Sequence, residues 1–225
     1  MKVESRRIAF DAGEVSAEIA YPEGHRSGST AAVVLGHGAG NDMRNALLSG
    51  FHQGLAAKGF VTVKFNFLYT EEKRRAPDRM PVLEACFRRV VEVVASDEEI
   101  RPRRLILGGK SMGGRVASHL AAQGVRCDGL LFLGYPLHPA GKPEQLRTAH
   151  LPKITAPMLF FAGTRDALCD LALLRRAVAN LPARVTLHVI EGADHSFKVL
   201  KSVPREAPVL EELVDVSAAW PPLSG

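Results

Sequence analysis

The chain has 225 residues, 46% hydrophobic and 24% charged, the balance of one soluble globular domain, residues 1–225, with a sizeable core. Lys and Arg number 29 against 24 Asp and Glu, a net charge of +5. The basic residues are spread among acids, so a solvated surface is expected and a nucleic-acid partner is not. No run reaches the roughly 18 apolar residues of a membrane span. The charged start, Met1-Lys2-Val3-Glu4-Ser5-Arg6-Arg7, has no apolar stretch behind it, so no signal peptide is expected.

Residues 6–10 and 15–21 alternate apolar and polar around Asp11-Ala12-Gly13, which predicts a hairpin. Residues 31–35 are continuously apolar, as in a strand buried on both faces, and lead into His37-Gly38-Ala39-Gly40. A helix is expected over 45–58, stopped by Gly59, and a strand over 60–67. The charged stretch 70–79 reads as an exposed loop. Pro81 opens a helix running to about Ser96, with Leu83, Phe87, Val90 and Val94 on one face. A strand over 104–107 precedes Ser111, and Val116, Ala117, Leu120 and Ala121 give the next helix a face of small residues.

Further strands are expected over 129–134, 157–162 and 185–190, and helices over 167–181 and 209–220. This alternation predicts an α/β fold: a mainly parallel central sheet, helices on both faces, and the leading hairpin as an antiparallel edge. The segment 135–156, rich in Pro and His, stands where lid domains are commonly inserted and is too short for one. Little or no lid, and an open site suited to small substrates, follow.

Gly109-Lys110-Ser111-Met112-Gly113 fits G-x-S-x-G between a buried strand and a helix. A serine that attacks a carbonyl must stand clear of the sheet on a sharp turn, and glycine two residues either side avoids collision with neighbouring backbone. The serine needs a base, and the base needs an orienting carboxylate. Gly163-Thr164-Arg165-Asp166 and Glu191-Gly192-Ala193-Asp194-His195 stand at the carboxyl ends of later strands, in the order Ser, acid, His. Asp170, read as a turn into the next helix, is the rival to Asp166. Asp194, next to His195 in sequence, is read as a carboxylate that stabilises the loop.

Backbone amides of Met112 and Ala39, with Gly40 as the alternative to Ala39, are expected to stabilise an oxyanion. His37 is expected to anchor its loop. His119, His188, His25 and His52 read as structural, and His138 and His150 as solvent-exposed residues that could line a pocket. Lys110, Arg115, His138, Lys142 and Arg147 could make a basic rim, with scattered surface charge as the plainer reading.

Cys86, Cys127 and Cys169 are odd in number and far apart, so neither a metal site nor a disulfide framework is indicated, and a cytoplasmic location is expected. Cys86 and Cys127 read as small core residues, and Cys169 lies near the rim of the site.

The combination Leu35-Gly36-His37-Gly38-Ala39-Gly40, Phe65-Asn66-Phe67, Arg75-Ala76-Pro77-Asp78-Arg79, Gly109-Lys110-Ser111-Met112-Gly113-Gly114-Arg115, Gly134-Tyr135-Pro136-Leu137-His138-Pro139, Gly163-Thr164-Arg165-Asp166 and Asp194-His195-Ser196-Phe197 resembles a branch of the α/β-hydrolases. That branch is the small, dienelactone-hydrolase-like group that includes the testis-expressed and NSL-complex-subunit-like proteins. The resemblance runs from Ala31 to the closing helix. It implies Ser111 as nucleophile, Asp166 as acid and His195 as base. Dienelactone hydrolases proper carry a cysteine nucleophile where this chain has Ser111. The expectation is a carboxylesterase-like serine hydrolase of a small acyl substrate, with no cofactor and no metal. A non-catalytic scaffold on the same fold, and an acyltransferase or peptidase on the same residues, are the alternatives.

Overall fold

The computed structural model describes residues 1–224. The leading alternation forms an antiparallel hairpin of β1 (Lys2–Phe10) and β2 (Gly13–Tyr21). The apolar runs become β3 (Ala32–Gly36), β4 (Val61–Phe65), β5 (Leu105–Lys110), β6 (Gly129–Leu133) and β7 (Met158–Gly163), each buried at every position. β8 (Val185–Ile190) is a half-buried edge. Among the described residues these strands form one sheet in the order β1-β2-β4-β3-β5-β6-β7-β8, parallel from β4 to β8.

Strand periodicity divides the core in two. Val33, Leu35, Ile106, Leu131 and Phe161 face Leu48, Phe51 and Leu55 of α1 (Ala46–Ala57) and Leu213 and Val214 of α6 (Val209–Ala219). Val34, Leu107, Leu130, Phe132 and Phe160 face the other way. There they meet Leu83, Phe87 and Val90 of α3 (Met80–Ala95), Val116 and Leu120 of α4 (Met112–Ala122), and Leu174 of α5 (Leu171–Val178). Each fully covered Leu, Val or Phe contributes roughly 1.5–3 kcal/mol. The chain leaves β3 for β4 on one side and returns to β5 on the other, so β3 and β5 flank the switch point where the carboxyl ends of parallel strands open a crevice.

Several elements depart from the pattern in the sequence. The charged stretch expected as a loop starts within a short helix, α2 (Leu68–Glu71), held by a remote partner. The Glu71 carboxylate accepts from the Ser16 amide at 2.9 Å and Asn66 Nδ2 at 2.9 Å. The helix expected over 167–181 begins only at Leu171, because Asp170 is its N-cap and accepts from the Leu173 amide at 2.8 Å. Asp170 is therefore a cap, not a residue one turn in. A final short helix, α7 (Pro221–Ser224), follows Trp220.

The segment 135–156 packs onto the body. Tyr135, Leu137, Leu151 and Ile154 are buried, and Tyr135 Oη donates to the Arg147 carbonyl at 2.7 Å. Of the described residues, no helix is long and apolar enough to cross a membrane.

Three histidines are more covered than their sequence positions suggest. His52 is fully buried, and burial, reinforced by Lys64, pushes it down to about 4. His150 Nε2 meets Ser118 Oγ at 2.7 Å; burial, then His119 and Arg115, push it to about 4, and burial lowers His119 too. The unfolded chain takes up protons at these groups near pH 6.5 while the fold keeps them neutral. Stability is therefore full above about pH 6.5 and falls as pH drops towards 4. The urea midpoint is expected to decline across that window, and a flat midpoint would contradict the burial.

Candidate active site

Ser111 follows β5 and caps α4 with φ 50° and ψ −111°, a left-handed backbone that costs a non-glycine residue of order 1–3 kcal/mol. Its surroundings hold it there. The Ser111 amide donates to the Leu133 carbonyl at 3.1 Å, and its own carbonyl accepts from the Arg115 amide at 3.1 Å. The flanking glycines are required by contact. A Cβ on Gly109 or on Gly113 would stand 2.1 Å from the Gly36 carbonyl oxygen, because β3 lies against the elbow.

Asp166 follows β7, with its side chain 1% exposed. Its Oδ1 accepts from the Leu168 amide at 2.8 Å, and its Oδ2 lies 2.8 Å from His195 Nδ1. His195 follows β8 in a tight loop. Asp194 Oδ1 accepts from the Ser196 and Lys198 amides at 2.8 and 3.0 Å, and so turns into the loop and away from the imidazole. The loops carrying Asp166 and His195 are tied together, since the Gly192 amide donates to Thr164 Oγ1 at 2.8 Å. His195 Nε2 then reaches Ser111 Oγ at 2.9 Å. Three residues scattered over 84 positions form one hydrogen-bonded line.

His37 is fully buried beneath the loop after β3. Its Nδ1 donates to the Gly38 carbonyl at 2.9 Å, and its Nε2 accepts from the Phe67 amide at 3.1 Å. Both nitrogens are used and burial lowers its basicity, so the ring is a neutral anchor. It holds Gly38 against the elbow, where a Cβ would lie 3.5 Å from Ser111 Cβ. Ala39 is exposed at the tip of the turn closed by the Asn41 amide on the Gly38 carbonyl at 3.3 Å. Met112 is the first residue of α4, so its amide has no acceptor within the helix.

The basic rim, the alternative to scattered surface charge, does not assemble. His138 is buried, not solvent-exposed; its Nε2 accepts from the Asp170 amide at 3.1 Å, which fastens the segment after β6 to the cap of α5. His150 faces Ser118 inside. Lys142 is exposed in its own turn, and Lys110 is 9% exposed under the His195 loop. Cys169 is likewise buried, its thiol pushed up to about 12 by burial and then by Asp166 and Asp170, which leaves it an inert core residue. Cys127 is half-buried.

A cavity of about 350 Å³ opens beside the elbow, lined among others by His37, Gly38, Asn45, Leu48, Lys110 and Lys198. Lys198 was not singled out by sequence reasoning; its position three residues after His195 was the available signal. A larger hollow of about 790 Å³, between Phe10 and Arg89, contains none of the candidate residues. Among the described residues, no group of three or more His, Cys, Asp or Glu converges as metal ligands would.

Known proteins share this architecture. A dienelactone hydrolase from Anabaena variabilis superposes with a TM-score of 0.77 at 18% identity, over 97% of this chain and 96% of its own. A serine hydrolase without a lid from Xanthomonas campestris gives 0.69 at 19% identity, over 87% of each chain. In sequence, the chain is 27% identical over 191 residues to two Mycobacterium tuberculosis proteins, each called a putative phosphoribosyl transferase. The match takes in 84% of this chain and 40% of theirs, so the chain spans well under half the length of these relatives. The model of the alpha/beta hydrolase domain matches residues 29–221. The chain belongs to the alpha/beta hydrolase family, and its eight-stranded sheet with a leading antiparallel hairpin is the fold of that family.

Proposed function

We propose that this alpha/beta hydrolase is a carboxylesterase-like serine hydrolase that cleaves an ester-like acyl bond of a small substrate. The observation that carries the reading is the continuous line Asp166 Oδ2, His195 Nδ1, His195 Nε2, Ser111 Oγ, at 2.8 and 2.9 Å. The carboxylate holds the proton on Nδ1, so Nε2 is the free base facing the hydroxyl. As Oγ attacks the carbonyl, His195 takes its proton, and the imidazolium gains from buried Asp166. The amides of Met112 and Ala39 receive the developing oxyanion. His195 then returns the proton to the leaving group, and water repeats the sequence on the acyl-enzyme.

The segment 135–156 supports a small, open substrate, because it packs on the body and adds no covering domain. The mechanism needs only protein groups and water. The chain works as one catalytic domain on a small molecule, with no nucleic-acid or membrane partner. Three unpaired thiols fit the cytoplasm. The transferase name of the mycobacterial relatives belongs to proteins most of whose length lies outside the match, and it does not enter this reading. Covalent labelling of Ser111 by a fluorophosphonate tests the proposal.

A further inference from the structure

Lys110, the residue before the nucleophile, is 9% exposed, and its Nζ is buried without a hydrogen-bond partner. Charged groups are normally buried in pairs, and among the described residues no carboxylate comes within ion-pair distance of this one. The neighbouring carboxylates are engaged elsewhere: Asp166 on His195 and the Leu168 amide, Asp194 on the Ser196 and Lys198 amides. A buried ammonium without a partner weakens the fold, and a neutral side chain of similar length would relieve it. A charge held against stability beside the nucleophile points to use.

Three loops enclose this side chain. Its stem packs under the loop after β3, where a Cβ on Gly38 would stand 3.6 Å from Lys110 Cγ. Its far end reaches the loop after β8, with Nζ 5.8 Å from the Phe197 ring centroid. Gly134, at φ 70° after β6, closes the third side. A Cβ there would stand 3.1 Å from Lys110 Nζ, 3.4 Å from the His195 carbonyl oxygen and 3.6 Å from His195 Cε1. The ammonium and the imidazole edge therefore border one gap, which glycine leaves open. Cε1 lies between Nδ1 and Nε2, the edge over which an imidazolium spreads its charge. The ionisable groups that meet Lys110 are Asp166 from the loop after β7, and Asp194 and His195 from the loop after β8. His37, beneath the loop after β3, is neutral. Burial pushes Lys110 down to about 8, and Asp166 and Asp194 oppose that shift, so the ammonium persists at neutral pH.

We propose that Lys110 is a positioning residue of the hydrolysis: its ammonium repels a solvent proton from His195 and so keeps Nε2 free to receive the one on Ser111. Buried Asp166 alone would draw a proton onto the imidazole, and a protonated base cannot accept another. A cation at the Cε1 edge opposes that uptake. Lys110 gives up no proton in the reaction and acts only through His195. The inference rests on the serine hydrolase reading for the role of His195, and on the burial of Lys110 and the gap at Gly134 for the charge.

The test compares the rate of fluorophosphonate labelling in Lys110→Met and in the parent across pH. At about pH 5.5 the variant is expected to react about tenfold more slowly, because its imidazole holds a proton that the ammonium would have repelled. At about pH 9 the parent's Lys110 is itself neutral and the base is free in both proteins, so the rates are expected to agree within about twofold. The urea midpoint of Lys110→Met is expected to equal or exceed the parent's, since an isolated charge has been removed, and a lower one would contradict that isolation. A ratio of rates that stays constant across pH would mark the lysine as merely structural and overturn the proposal. So would a ratio that widens towards alkaline pH. Lys110→Gln, neutral and of similar length, is expected to repeat the result, and it decides the matter should Lys110→Met fail to fold. The two readings fail in different ways. A parent unlabelled at every pH removes the hydrolase and the role of Lys110 with it, whereas a labelled parent with a constant ratio removes only the role of Lys110.

Discussion

Asp166→Asn is expected to lower kcat for ester hydrolysis about 10⁴-fold while the fold persists. The effect follows from which way the amide must face. Oδ1 of Asp166 accepts from the Leu168 amide, so an asparagine keeps its carbonyl on that donor and presents its NH₂ to His195. A donor facing Nδ1 forces the imidazole proton onto Nε2. The nitrogen 2.9 Å from Ser111 Oγ then carries a hydrogen and cannot accept the serine proton. Volume and hydrogen-bond count barely change, so the melting temperature is expected to stay near that of the parent. A kcat within tenfold of the parent would show that Asp166 does not fix the tautomer.

Gly113→Ala is expected to be the most damaging single methyl in the chain, costing about 3–5 kcal/mol of stability. The added Cβ would meet the Gly36 oxygen at 2.1 Å, its carbonyl carbon at 2.3 Å and its Cα at 2.7 Å. All three are backbone atoms of a central strand, so relief requires β3 and α4 to separate. Gly54→Ala is the matched control. There a Cβ meets Val214 Cγ2 at 2.6 Å, a side-chain methyl and not strand backbone, so a small outward shift of α6 admits it while alanine improves helix propensity. The urea midpoint of Gly113→Ala is expected to fall far below that of Gly54→Ala, and equal midpoints would mean that the elbow is not pressed against β3.

Parts of this site are legible in the sequence. The elbow is, because steric necessity writes itself as glycine at two fixed offsets from Ser111. The partners are legible because each stands directly after an apolar run that could only be a strand, and the order of strands places them at one end of the sheet. His37 could be read as an anchor for a related reason: it lies inside a glycine-rich turn that must be fastened by something.

Other features depend on residues remote in sequence and left no local trace. α2 forms where charge density suggested a loop, since Glu71 is held by the Ser16 amide on a different strand. Asp170 caps α5 because its backbone is fixed by His138, 32 residues away. Composition places a lysine, an arginine or a histidine on the surface by default, which is why Lys110, Arg115 and His138 read as scattered surface charge, with a rim as the alternative. What covers Lys110 is the loop after β8, and only the fold brings Phe197 over it. The sequence could announce the charge there but not its isolation.

A strained serine argues for use over mere inheritance of the fold. A scaffold gains nothing from holding Ser111 at φ 50° when a glycine would relax it, nor from burying a carboxylate against a histidine. The most direct measurement is therefore covalent labelling with a fluorophosphonate, followed by peptide mapping, on the parent and on Ser111→Ala and His195→Ala. One adduct per chain is expected, located on Ser111, absent in Ser111→Ala and slowed by orders of magnitude in His195→Ala. An unlabelled parent, or an adduct that persists in Ser111→Ala, would contradict it.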